Sequence, residues 1–163
     1  MRPRYALLWM VVLAFAPACG GEPADVEGEY SMQITNRENG CEFDDWEEDA
    51  TTQNVPITVE QDGSEVTAYI DGLVGGFVEL VLGSRAFEGA VSGDTISLDL
   101  YGTRSLSEGN CTYTINATVT GTLSGNSLSG FIDYSPASND NPDCESIEGC
   151  VSTQEFSGSR PPR

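Results

Sequence analysis

The sequence contains no lysine and no histidine, and its seven arginines face 26 aspartates and glutamates across 163 residues, for a formal charge of −19. Each gap removes a class of chemistry. Without lysine there is no Schiff-base nucleophile, and without histidine there is no imidazole base or imidazole metal ligand. Nucleic acid is excluded as a partner, because affinity for a phosphate backbone comes largely from Lys and Arg displacing counterions. The longest apolar run, residues 6–16, is too short to span a bilayer, which takes roughly 20 residues. No C-x-x-C pair, phosphate-binding glycine loop or nucleophile elbow occurs either. Abundant carboxylates guarantee some acid pair by chance, so they do not argue for hydrolysis. The chain reads as a non-enzyme.

What is present starts with an address. Arg2 and Arg4 precede the apolar run, giving residues 1–18 the form of an export signal. Ala16-Pro17-Ala18-Cys19-Gly20 then places small residues before a cysteine. This segment resembles the lipobox of bacterial lipoproteins over about the first twenty residues. The resemblance implies that the signal is cut before Cys19, that this thiol is acylated, and that the chain is anchored in a membrane of the cell envelope. Gly20 after the cysteine implies onward transport to the outer membrane. Ala16-Pro17-Ala18 also satisfies the small-x-small rule of soluble export, but cysteine arithmetic favours lipid. Five cysteines are odd in an exported protein, and assigning Cys19 to lipid leaves an even four. On this reading residues 19–27 are a lipidated N-terminus with a flexible tether, and 28–163 form one domain. Both N-terminal arginines leave with the signal, so five remain against 26 acids, a mature charge of −21.

That domain is expected to be all-β. Gly, Ser, Thr and Val are frequent, and no stretch carries a helical period bounded by caps. Val55, Ile57 and Val59 alternate with polar residues and resume after Asp62-Gly63 as Val66, Ala68 and Ile70. Phe87, Gly89 and Val91 pair in the same way with Ile96, Leu98 and Leu100 across Ser92-Gly93-Asp94. Tyr113, Ile115, Ala117 and Val119 pair with Leu128, Gly130 and Ile132 across Ser124-Gly125-Asn126. An opening strand around Tyr30, Met32 and Ile34 and a closing strand over residues 151–157 bring the total to about eight. The expected fold is an antiparallel up-and-down barrel, with a β-sandwich as the alternative. Residues 77–82 could add a strand, which would invert the parity of everything after them.

Short turns alternate with long connections at residues 37–53, 71–85, 102–111 and 135–150, so all four long connections gather at one end. Cys41, Cys111, Cys144 and Cys150 fall on that end and allow three disulfide pairings. Loop economy favours Cys41 with Cys111 and Cys144 with Cys150. Export supplies the oxidising compartment that two disulfides need.

The same end holds the candidate site residues. Asp44 and Asp45 lie in the acidic run over residues 42–49, where carboxylate oxygens could hold calcium, although adjacent acids form solvated loops more often. No other cofactor is indicated. Trp46 in this run either covers the barrel end or offers a stacking face, and Tyr101 and Tyr134 suit a pocket rim as well as a core boundary. With Gly28-Glu29-Tyr30 opening the first strand, the domain resembles lipocalin-like and avidin-like meander barrels, which implies a shape but carries over no binding residue. The leading expectation is a small or apolar ligand bound at the long-loop end. The alternative is a structural or interaction protein with a filled interior and acidic loops.

Overall fold

A computed structural model of the chain describes residues 21–162. The expected signal segment and Cys19 lie outside the described residues. Among the described residues nine strands form one sheet: β1 (Gly28–Asn39), β2 (Thr51–Asp62), β3 (Glu65–Ile70), β4 (Ala86–Ser92), β5 (Thr95–Leu100), β6 (Leu106–Glu108), β7 (Cys111–Ser124), β8 (Ser127–Ser138) and β9 (Ser152–Ser159). Each pairs antiparallel with its neighbour, β5 pairs with β7, and β9 returns to β1. Eight strands therefore close into an up-and-down barrel, and β6 lies outside it against the start of β7.

The alternation seen in the sequence sets which side chains point inward. Tyr30, Met32 and Ile34 of β1, Val55 and Val59 of β2, Ile96, Leu98 and Leu100 of β5, and Ala117 and Val119 of β7 are all buried. A one-residue slip would turn each set outward, so burial locks the register. Three two-residue turns close one end: Gly63-Ser64, Gly93-Asp94 and Gly125-Asn126. In each the glycine comes first with φ near +60°, the conformation a type II′ hairpin turn requires there. Gly130 answers a different demand, since a Cβ at that position would stand 2.0 Å from the Thr120 carbonyl oxygen.

The tight-turn end is sealed by residues ahead of β1. Val26 is fully buried, its amide donates to Gln61 Oε1 at 2.7 Å, and its carbonyl accepts from the Tyr30 hydroxyl at 2.9 Å. Ala24 donates to the Gly93 carbonyl at 2.7 Å. The buried guanidinium of Arg160, just past β9, donates to the carbonyls of Asp25 and Glu27 and lies 5.6 Å from the centre of the Tyr30 ring. The chain is thus fastened to the barrel from Ala24 onward, four residues earlier than the sequence places the domain boundary.

The long connection between β3 and β4 carries a helix, α1 (Gly72–Leu82), where the sequence suggested either loop or a further strand. Parity is therefore undisturbed. Glu79 is its only charged residue, and three of its eleven residues are glycine, which leaves neither an amphipathic period nor a capping box to read. Tertiary contacts hold it. Leu82 is buried in the barrel core, its carbonyl accepts from the Thr103 amide at 2.7 Å, and Gly75 passes so close to Ile70 that a Cβ would stand 1.9 Å from its carbonyl oxygen. Gly83, at φ 88°, ends the helix in the left-handed conformation. No helix among the described residues is long and apolar enough to cross a membrane.

Candidate functional site at the rim of long connections

All four long connections lie at the end opposite the tight turns, as strand parity requires. Two disulfides staple this rim: Cys41–Cys150 and Cys111–Cys144, each with Cα atoms 5.0 Å apart. The expected pairing of Cys41 with Cys111 and Cys144 with Cys150 is overturned. Strand register is the reason. Asn39 of β1 pairs with Ser152 of β9, and the Gly40 amide donates to the Val151 carbonyl, which sets Cys41 beside Cys150. Likewise Tyr113 of β7 pairs with Ser138 of β8. The Asn139 amide donates to the Thr112 carbonyl, and a 3₁₀ turn over Pro142–Cys144 then delivers Cys144 to Cys111.

Inside the rim a polar layer caps the apolar core. Tyr134 of β8 points inward and donates to Gln154 Oε1 of β9 at 2.8 Å, and Gln154 donates to Asn36 Oδ1 of β1 at 2.8 Å. Asn36 in turn donates to the Glu47 carbonyl in the acidic loop at 3.1 Å. Burial raises the pKa of the Tyr134 phenol above its ordinary value. Above this layer the half-buried Trp46 ring meets Tyr134 edge-on, and its indole N–H donates to the Arg37 carbonyl at 3.0 Å. Phe43 packs 6.0 Å from Trp46, centre to centre, and both its amide and its carbonyl bond the Asn39 side chain. Trp46 thus rests on Phe43 and Tyr134, which themselves pack on the core.

Of the three aromatic residues singled out from sequence, Trp46 and Tyr134 are thus brought together. Tyr101 is not: it is 73% exposed just past β5 and has no ring partner among the described residues. Asn36, Gln154 and Arg37 were missed. Asn36 continues the inward phase of Tyr30, Met32 and Ile34, and Gln154 shares the phase of Phe156, so an extended reading of the same alternation finds both. Arg37 donates to Glu155 Oε2 at 2.8 Å and to Asp49, tying the acidic loop to β9; the Glu155 hydrogen bond is the main cause of its raised pKa.

Beneath the cap the barrel interior is packed. Val26, Ile57, Ala68, Leu98, Ile132 and Phe156 are among the apolar residues lining a cavity of about 60 Å³, and no polar surface opens into it. Ligand pockets for drug-sized molecules are roughly five times larger or more. Ile115 is buried but does not border this cavity.

Charge divides the rim. Residues 40–50 and 139–151 carry ten acids and no arginine, and both disulfides anchor the second of these loops. Residues 71–85 and 101–110 carry three acids and two arginines. Asp44 and Asp45 are exposed, and no three Asp, Glu or Cys side chains among the described residues gather as metal ligands. Asp143 instead serves structure, accepting from the Asn110 amide and side chain at 3.2 and 2.9 Å.

Fold and site together define a closed eight-stranded antiparallel barrel with a filled interior and one stapled, acidic rim. No family model, curated protein or solved structure matches the chain.

Proposed function

We propose that this chain is a lipid-anchored protein of the bacterial envelope, non-catalytic, whose acidic rim is a contact surface for a positively charged macromolecular partner. The observation that carries this reading is the contrast between a capped interior of about 60 Å³ and ten carboxylates concentrated on two stapled loops. The interior leaves no room for a lipid-sized cargo, while the loops focus negative potential where Arg- or Lys-rich surfaces are steered. The lipobox-like segment supports the anchor. From Cys19 to the fastened Ala24 is five residues, a reach of at most about 18 Å. The tight-turn end would then face the membrane, with the acidic rim about 30 Å further out, the rise of a tilted twelve-residue strand.

Two experiments test this. Cys19→Ser is expected to move the protein from the membrane fraction to the soluble exported fraction, and continued membrane retention refutes the anchor. For the rim, octa-arginine is titrated against the chain at several salt concentrations. Replacing the six acids of residues 42–49 by their amides is expected to weaken binding at least tenfold more than replacing six acids on the outer strand faces. Equal losses would mean that net charge alone is read, and the rim proposal fails. A second reading, a small apolar ligand, rests on the apolar cavity. It needs the Trp46 cap to lift, so saturable quenching of Trp46 fluorescence by Nile red or palmitate would favour it.

A further inference from the structure

Helix α1 turns an apolar face to solvent. Leu73 is 95% exposed and Phe77 and Leu80 are each 65% exposed. With Gly76, over which a Cβ would meet nothing within 4 Å, they occupy positions i, i+3, i+4 and i+7 of one helical face. That is the pattern a helix normally buries. The opposite face is already used, with Gly75 and Leu82 packed on the barrel. The three exposed side chains present on the order of 400 Å² of apolar surface, the size of the largest patch on a typical monomer, which is often functional.

We propose that this face is a self-association surface on which the α1 of a second copy packs antiparallel, crossing at Gly76. Charge selects the occupant. A chain of net charge −19, or −21 without its signal, repels a copy of itself over most of its surface, but the segment around α1 is close to neutral. Asp71 stands at the helix N-terminus, and Arg104 packs beside Gly83 at the C-terminus. Arg104 is the one described arginine whose guanidinium forms no ion pair or hydrogen bond among the described residues. An antiparallel pair opposes the two helix dipoles favourably and brings each Arg104 toward the partner's Asp71, whose carboxylate also accepts from Thr58 at 2.7 Å and pairs loosely with Arg85 at 3.4 Å, whereas a parallel pair sets Arg104 against Arg104. A bilayer is a poorer occupant, because interfacial helices carry Lys and Arg on their polar face and α1 carries none. Open glycine at the crossing lets two helices approach closely, and two such faces with their flanks reach about 1,000 Å², the size of a weak, transient interface, which the shared membrane anchor of the proposed function would favour by concentrating the copies.

The test uses the full chain, exported in a bacterial host, with Phe77 replaced by p-benzoylphenylalanine and irradiated in intact cells. A covalent dimer of the chain is expected, with mass spectrometry placing the second attachment within residues 71–85 of the other copy. Adding Leu73→Glu should reduce the dimer at least tenfold, and Arg104→Glu several-fold, with Arg104→Lys close to the parent. Because Leu73 is exposed, the thermal midpoint of Leu73→Glu should stay within about 2 °C of the parent, which shows the barrel intact. Adducts only to lipid or to other proteins would overturn the proposal. So would a dimer adduct that survives Leu73→Glu unchanged in a folded barrel.

Discussion

The Trp46 indole stands edge-on to the Tyr134 ring, centroids 6.1 Å apart and planes at 80°, so that a residue from the acidic loop lids the layer in which the barrel strands end. Edge-to-face pairs contribute about 0.5–1.5 kcal/mol beyond area burial. Trp46→Ala is therefore expected to lower stability by about 2 kcal/mol, read from urea denaturation followed by circular dichroism. Trp46→Phe should recover part of the loss. A cost below about 0.5 kcal/mol would mean that the ring does not close the barrel.

Tyr134 predicts an alkaline effect. Burial holds its phenol neutral in the folded barrel above the ordinary value of 10, while the unfolded chain ionises near that value. The group's contribution is thus fully present below pH 10 and is lost as pH rises from there toward the folded pKa. Denaturant midpoints measured from pH 9 to 11.5 should fall less steeply for Tyr134→Phe than for the parent. Identical slopes would contradict burial of this phenol.

The disulfide partners predict both a map and a ranking. Non-reducing digestion should yield peptides joining Cys41 to Cys150 and Cys111 to Cys144. In chain-entropy reasoning, closing loops with separations of 109 and 33 residues stabilises by about 5 and 4 kcal/mol respectively. Cys111→Ser with Cys144→Ser should accordingly cost slightly less than Cys41→Ser with Cys150→Ser. A peptide joining Cys144 to Cys150 would refute the register argument.

At the closed end, Arg160 holds the segment that buries Val26 through hydrogen bonds to the carbonyls of Asp25 and Glu27. Removing a charged donor from these partly buried acceptors costs about 1–3 kcal/mol. Arg160→Ala should show that loss in urea, together with faster amide exchange at Val26 than at Leu98. Slow exchange at Val26 in this variant would show that the N-terminal segment is held without Arg160.

Cavity filling offers a gain instead. Ala68 borders the internal space of about 60 Å³, enough for two methyl groups. Ala68→Val should stabilise the barrel by about 0.5–1 kcal/mol, and a loss would show that the side-chain packing there does not yield.

Much of the barrel was legible beforehand because a strand's side chains alternate with a period of two. Once Val55, Ile57 and Val59 faced inward, the turn at Gly63 fixed the phase of Val66, Ala68 and Ile70, and parity carried every long connection to one end. What lacked a local signature was decided by tertiary contacts. Helix α1 has no polar stripe and no capping box, and it is stabilised by Leu82 entering the core and by Gly75 against Ile70. Val26 read as tether because a single buried residue makes no periodic pattern.

The chain's own residues therefore determined its charge, the number and facing of its eight barrel strands, and the end at which its elaborated loops meet, since each follows from composition or from short-range stereochemistry, whereas the short outer strand β6 did not announce itself. Only the closed structure decided which cysteines join, whether the interior is open, and where Trp46, Arg160 and the apolar face of α1 come to rest. Those outcomes depend on register between strands distant in sequence. The β9–β1 pairing that sets Cys41 beside Cys150 exists only when the last strand meets the first.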